Sequence, residues 1–325
     1  MGHGVTPRPA ALRVAVLGQG SAGRRHAEDL AAAGCEIVSY DPQQLHAGAA
    51  TAAEAVASAD AVVVASPSSV HAEQALLALE SERPVLVEKP LATTEADAAR
   101  IVSAAGARAA SCGVAMNLRF HPGAVALHDL VRGGAVGEVL YGAASFGYDL
   151  RRWRPQTDYR RSYSARAELG GGIVLDAIHE LDLILWLLGP AASVIAETAV
   201  TKVLEADVEH MAAAVLRMRS GALVTVDVNF VEPSYRRRML VAGTIATASW
   251  EWSTGSVVLR RDGDEERVDV AYDVRDTYRA VTADFLSAIA EGHPPSTTLT
   301  EGLEAVRLAE ALKRSAASGR RAELS

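Results

Sequence analysis

Leu12-Arg13-Val14-Ala15-Val16-Leu17-Gly18-Gln19-Gly20-Ser21-Ala22-Gly23 decides how the first third of this chain folds. Residues 12–17 form a short β-rich run, the glycines follow at once, and Arg24 to Ala33 reads as a helix that stops at Gly34. Glycines between a strand and a helix let the backbone turn tightly and approach a pyrophosphate, whose charge rests on the amides of the helix beginning near Ser21. Gly18, Gly20, Ser21, Ala22 and Gly23 are therefore cofactor-binding candidates. A second strand, Glu36-Ile37-Val38-Ser39-Tyr40, delivers Asp41 about 20 residues on, where a carboxylate takes the adenosine ribose hydroxyls and repels a 2′-phosphate. The expected cofactor is NAD, with NADP disfavoured. Arg24 and Arg25 dilute that preference, since either could reach a phosphate.

Working outward, strands and Ala-rich helices alternate to about residue 120. Ala61 to Ala65 is a wholly apolar run suited to a parallel strand covered on both faces, and Ser66-Pro67 breaks it at its carboxyl end, where open α/β sheets bind ligands. His71 opens the next helix. The strand Pro84-Val85-Leu86-Val87 then ends in Glu88-Lys89-Pro90, and the residue before a proline is held out of helical geometry. Ser66, Pro67, His71, Glu88, Lys89 and Asn117 join the cofactor set, and Asn117 to Pro122 reads as the crossing out of a Rossmann-type domain spanning 11–121.

After Pro122 the pattern changes. Eight strands are expected between Val139 and Val270, interrupted by helices at Ala124 to Arg132, Ile173 to Leu188, Tyr278 to Glu291 and Glu301 to Ala317. The fold class is α/β with a second, α+β domain over 122–325 built on a large, mainly antiparallel sheet, suited to substrate binding and oligomerisation. Alternation such as Ala222 to Val228 leaves one sheet face partly apolar, so a homodimer or homotetramer is expected, with packing on the chain's own helices as the alternative.

Gly170-Gly171-Gly172 leads into the helix that carries the chemistry. Asp176, His179 and Glu180 lie within one arc of an otherwise apolar segment, where charge is costly unless paired or used. Asp176 and His179 stand at i,i+3, where a carboxylate can orient an imidazole; the alternative is a core histidine satisfied by its neighbour. That makes His179 a candidate acid/base.

Composition agrees. With 325 residues, 49% of them apolar, the chain can fill two cores. A net charge of −8 argues against nucleic acid or anionic membrane as a partner. Cys35 and Cys112 show neither disulfide nor metal-ligand spacing, and no metal is expected. The N-terminal heptapeptide shows no apolar leader segment and no apolar run reaches the ~20 residues of a bilayer span, so a cytoplasmic location is expected.

The glycine turn, Ser66-Pro67 with His71, Glu88-Lys89-Pro90 and the Gly-Gly-Gly helix bearing Asp176 and His179 together resemble the Gfo/Idh/MocA oxidoreductase family from about Leu12 to Leu324. The resemblance implies a lysine at the nicotinamide and substrate hydroxyl, here Lys89, with an aspartate and a histidine on the second-domain helix, here Asp176 and His179. The family usually places that histidine four residues after the aspartate; here the distance is three, Glu180 holds the fourth place, and either acid is available as the partner of His179. It also implies that the tryptophan-bearing stretch before the helix serves the nicotinamide end and the substrate pocket, so Trp153, Arg154 and Tyr159, with Arg119 and Glu180, form the expected substrate set. The implied activity is hydride exchange with a secondary alcohol or ketone of a sugar, cyclitol, or activated or acidic sugar, with Lys89, His179 and Asp176 as the catalytic set: a neutral imidazole suits removal of the alcohol proton as hydride leaves the carbon, and Lys89 would stabilise the alkoxide. Five arginines between Arg151 and Arg161 could clamp an anionic substrate or simply face solvent. Two further functions stay open: NAD-dependent glycoside cleavage by transient oxidation, and a dinucleotide-binding regulator without catalysis.

Overall fold

A computed structural model describes residues 11–44 and 48–324; the N-terminal heptapeptide read above lies outside them. Five parallel strands, β1 (Arg13–Leu17), β2 (Glu36–Tyr40), β3 (Ala61–Val64), β4 (Val85–Val87) and β5 (Gly113–Val114), form the first sheet in the order β2-β1-β3-β4-β5. Helices α1 (Ser21–Ala32), α2 (Ala52–Ala57), α3 (His71–Glu80) and α4 (Glu95–Ala105) connect them. Because the order reverses between β1 and β3, the crevice beyond their carboxyl ends is the place a ligand fits. Burial on both faces explains the unbroken apolar sequence of β3 and of Val14 to Leu17 in β1. Local chemistry sets the helix ends: Thr51 and Thr94 cap α2 and α4 by accepting the amides of Glu54 and Asp97.

The chain crosses over through a 3-10 turn at Asn117–Phe120 and enters α5 (Pro122–Arg132), which has proline in its first turn. The second sheet has nine strands: β6 (Val139–Gly147), β7 (Ala191–Ala199), β8 (Met211–Met218), β9 (Leu223–Asn229), β10 (Arg236–Gly243), β11 (Thr247–Glu251), β12 (Ser256–Arg261), β13 (Asp264–Asp269) and β14 (Ala322–Glu323). Their order is β13-β12-β11-β10-β6-β9-β8-β7-β14, antiparallel throughout except for the parallel pair β6 and β9. Before β7 come α6 (Leu150–Trp153), α7 (Ile173–Asp176) and α8 (Ile178–Leu188). The expected single helix from Ile173 to Leu188 is thus two, broken at Ala177, where ψ turns to 26°.

The last helices, α9 (Val274–Glu291) and α10 (Leu299–Ser318), return to the first domain. Val281 and Phe285 of α9 share one core with Val14, Val16 and Leu30, while Leu299, Leu303 and Val306 of α10 share another with Val62, Val85 and Leu91. A capping box between Thr298 and Glu301 starts α10, and Glu301 also takes Arg119 Nη1 at 2.5 Å. Arg119 in turn holds Asp182 of α8 through two hydrogen bonds of 2.6 and 2.9 Å. Arg119 and Asp182 are both buried, so this ion pair ties the crossover to the second domain. Among the described residues, no helix is long and apolar enough to cross a membrane.

Candidate active site

A cleft of about 860 Å³ runs from the first glycine turn to α8, within the size range of small-molecule sites. At one end lie Gly18, Gly20, Ser21, Ala22 and Asp41; along the floor Ser66, Pro67, Glu88, Lys89 and Asn117; at the other end Trp153, Arg154, Asp176 and His179. Gly18 has φ +98°, and a Cβ there would stand 2.6 Å from the backbone of Ala65 and Ser66, which brings the ends of β1 and β3 together. Gly20 differs: a Cβ there would meet nothing within 4 Å, so the protein's own packing does not require glycine at that position. The amides of α1 have no side-chain cap and its first turn holds no acid. An uncapped helix start beneath an open glycine fits a dinucleotide pyrophosphate.

Asp41 accepts the amides of Gln19 at 2.7 Å and Gln43 at 2.8 Å, which fixes its carboxylate at the glycine-turn end of the cleft. The arginines that weaken the expected NAD preference are engaged: Arg24 donates to the Gln19 carbonyl at 2.8 Å, and the guanidinium of Arg25 stacks 3.8 Å from the ring centre of Tyr278.

Several expected contacts prove to be supports behind the cleft wall. Gly23 does not line the cleft; a Cβ there would lie 1.8 Å from the Gly18 carbonyl, so it lets α1 pack under the turn. His71 is buried between the two loops that carry the floor, its Nδ1 2.7 Å from the Pro90 carbonyl and its Nε2 3.0 Å from the Ser66 carbonyl, with the single N–H of a neutral ring donated to one of them. Burial holds its imidazole below the ordinary range. Arg119 is spent in its ion pair with Asp182, and Tyr159 accepts the Glu205 amide at 3.0 Å; neither reaches the cleft. Glu180 points to Arg237, whose Nε donates to it at 2.7 Å. Of the clustered arginines, Arg151 is held by Asp149 and Arg160 by Asp158, and Arg154 is the member that lines the cleft.

At the end of the cleft away from the glycine turn, Lys89 Nζ donates to Asp176 Oδ1 and to the Asp176 carbonyl, each at 3.0 Å. Burial opposes the ammonium, but the oxygens of Tyr163, Asp176 and Glu88 outweigh it and raise its pKa, against the lowering that a cationic nicotinamide alone would cause. Glu88 is steadied by His26, 2.9 Å away and buried. His179 is buried, and desolvation together with the charges of Lys89 and Arg237 keeps its imidazole well below the ordinary value, so the ring is neutral. Neither Asp176 nor Glu180 bonds to it, which corrects the expected orientation of His179 by one of those acids. Asp176 is taken by Lys89 and Tyr163 and Glu180 by Arg237, and the helix between Asp176 and His179 is interrupted at Ala177.

Tyr163, Arg237, Phe146, Tyr148 and Tyr235 also line this end. Arg237 stacks 4.4 Å from the Phe146 ring centre. Tyr163 ends the stretch 158–163 expected to hang over the cleft, whereas Arg237, Phe146, Tyr148 and Tyr235 escape sequence reading because they lie on or beside two strands that meet only through the β6–β10 pairing. Among the described residues, no group of three His, Cys, Asp or Glu side chains could hold a metal.

Two family models match the chain: an oxidoreductase family with an NAD-binding Rossmann fold over residues 12–116, and a GFO/IDH/MocA C-terminal domain over residues 124–249. Inositol 2-dehydrogenase 2 of Paenarthrobacter aurescens (strain TC1) is 32% identical, with 93% of this chain and 95% of that protein covered. The 1,5-anhydro-D-fructose reductase of Ensifer adhaerens is 28% identical over 82% and 80% of the two chains. Levoglucosan dehydrogenase, solved with NADH and levoglucosan, superposes with a TM-score of 0.85 at 20% identity, covering 97% and 99%.

Proposed function

This chain belongs to the Gfo/Idh/MocA oxidoreductases, NAD(P)-dependent enzymes, and on that basis we propose that it moves a hydride between NAD and a ring carbon bearing a secondary alcohol of a cyclitol or sugar. One observation carries the reading: the Lys89 ammonium and the neutral His179 imidazole face the same cleft as the uncapped start of α1. The sugar or cyclitol class rests on what the relatives are named for.

When bound, the nicotinamide supplies a ring carbon that accepts or returns the hydride. Gly18, Gly20, Ser21 and Ala22 hold the pyrophosphate, Asp41 the ribose, and Ser66, Pro67, Glu88 and Asn117 the floor toward the nicotinamide. His179, neutral at working pH, takes the hydroxyl proton. Lys89, kept as an ammonium by Asp176, stabilises the developing alkoxide. Trp153, Tyr148 and Tyr235 give the pocket apolar faces on which a sugar ring stacks, and Arg154 stands at its rim.

The decisive experiment follows NADH absorbance across cyclitols, free sugars, sugar acids and nucleotide-linked sugars. Reduction of NAD by at least one of them is expected. Calorimetric NAD binding with no absorbance change from any of them would overturn the reading, and cleavage of a glycoside without net NADH would replace it by transient oxidation.

We also infer that the open face of the second sheet pairs with a second copy, making a dimer or tetramer. Ile195, Val215, Leu223 and Tyr141 are each 39 to 46% exposed there. The register sets Ile195 beside Val215 and Leu223 beside Tyr141, two exposed apolar pairs with Thr225 and Arg217 between them. A monomeric mass by light scattering at micromolar concentration would contradict this.

A further inference from the structure

Asp176 serves the lysine, and a third residue keeps it there. Its Oδ1 receives Lys89 Nζ at 3.0 Å and the hydroxyl of Tyr163 at 2.5 Å. Meanwhile Asp176 Oδ2 and His179 Nδ1 are both buried with no hydrogen-bond partner. These two orphans are chemically complementary, a carboxylate oxygen and an imidazole nitrogen three residues apart. Leaving a buried polar atom unsatisfied is costly, so something must hold the carboxylate in its other orientation.

The glycine run explains how Tyr163 comes to lie against α7. A Cβ on Gly171 would stand 2.2 Å from the Tyr163 carbonyl, and the Gly172 amide bonds the Ser164 carbonyl at 3.1 Å. Only a chain without a side chain at 171 can pass so close. Lys89 is faced there by Glu88 from its own loop, Asp176 from α7, Tyr163 from its turn and His179 from α8. Lys89, Lys202 and Lys313 are the chain's lysines, so every other basic side chain of the first domain is arginine or histidine. A compact ammonium can meet an alkoxide and a carboxylate at once, which a planar guanidinium does less well.

We propose that Tyr163 is a positioning residue whose hydroxyl locks the Asp176 carboxylate onto the Lys89 ammonium, so that this chain's helix carboxylate supports the lysine and leaves His179 unassisted. The inference rests on the assignment of Lys89 to the alkoxide. Without the phenol, Asp176 is free to turn its orphan oxygen toward the orphan imidazole nitrogen, and Lys89 loses its fixed counter-charge.

The test uses the free full-length protein labelled with 13C at the lysine ε-carbons. Three lysines give three signals, and Lys89→Arg identifies the one in question. In the wild type, Lys89 should remain an ammonium beyond the ordinary lysine midpoint. Tyr163→Phe should make it titrate at least one pH unit earlier than in the wild type, and should have no further effect in an Asp176→Asn background. An unchanged titration in Tyr163→Phe, or an equal effect in both backgrounds, overturns the proposal. Should Tyr163→Phe fail to fold, Tyr163→Leu is read by the same two criteria. No substrate is needed, so this result stands apart from the absorbance panel: failure here leaves the dehydrogenase reading intact, and failure there leaves the lysine titration readable. With a turned-over polyol, kcat of Tyr163→Phe should fall about tenfold while the Kd for NAD stays within twofold.

Discussion

Replacing Asp41 by asparagine tests the basis of cofactor choice with little disturbance to the backbone. In the wild type its two oxygens hold the Gln19 and Gln43 amides, and among the described residues no arginine or lysine pairs with it. A 2′-phosphate brings a charge of about −1.5 to −2 into its neighbourhood. At a separation of roughly 5 Å and an effective dielectric of about 40 to 80, the repulsion is about 1.4 to 2.8 kcal/mol, or roughly ten- to hundredfold in affinity. Isothermal titration calorimetry should therefore find NADH bound that much more tightly than NADPH. The introduced amide keeps an oxygen for the Gln19 N–H and loses the charge, so Asp41→Asn should improve NADPH binding about tenfold and weaken NADH binding a fewfold. Equal wild-type affinities, or a ratio unmoved by the substitution, would refute the electrostatic account.

His179→Ala and Lys89→Ala should each lower turnover by about 10² or more while NAD binding measured by calorimetry is nearly unchanged. Glu180→Gln tests the rival: because Glu180 is committed to Arg237, its loss should cost stability more than chemistry, and abolished turnover at normal melting temperature would reassign the acid/base. Since His179 works neutral and its pKa lies well below 6.5, kcat/KM for alcohol oxidation should show no acid limb centred near pH 6.5; a fall with that midpoint in a pH–rate profile would count against it. His121, wholly buried among Trp250, Trp252 and Tyr272, is pushed down to about 4 chiefly by burial. Its folded pKa lies below its unfolded one, so it contributes nothing to the pH dependence above about 6.5 and costs up to about 3 kcal/mol as pH falls from 6.5 toward 4. Denaturant midpoints for His121→Phe should lose that part of the acid sensitivity.

The first domain is legible in the sequence because its signals are local: a strand, a turn and a helix contiguous in the chain, each with its own residue pattern. Lys89 and His179 are legible as polar residues in places where apolar ones would have been cheaper. The support residues are not. Nothing local distinguishes His71, which braces two loops, from a histidine that touches a cofactor, and Arg119 finds Asp182 and Glu301 only once α8 and α10 have packed. The surroundings of His179 elude the sequence for a sharper reason, since Lys89 and Arg237, which claim Asp176 and Glu180, come from distant parts of the chain, and the turn at Ala177 is not announced by a proline or glycine. The signal for Tyr163 lies in the glycines that follow it, which make room for a neighbouring stretch of chain as well as starting a helix.

The return of α9 and α10 has a bearing on how the protein is made. Val14 and Val16 leave the ribosome long before Val281 and Phe285, yet their core is not closed until those two have been synthesised. The nucleotide-binding half therefore cannot finish folding as an early, self-sufficient unit. It must wait, with apolar strand faces exposed, for helices encoded far downstream, a long-range closure of the kind that slows folding and invites aggregation. A stop codon or a protease nick ahead of α9 should thus cost the cell both halves of the enzyme, and a gene cut at the crossover near Pro122 should yield an insoluble first half until the C-terminal helices are supplied with it.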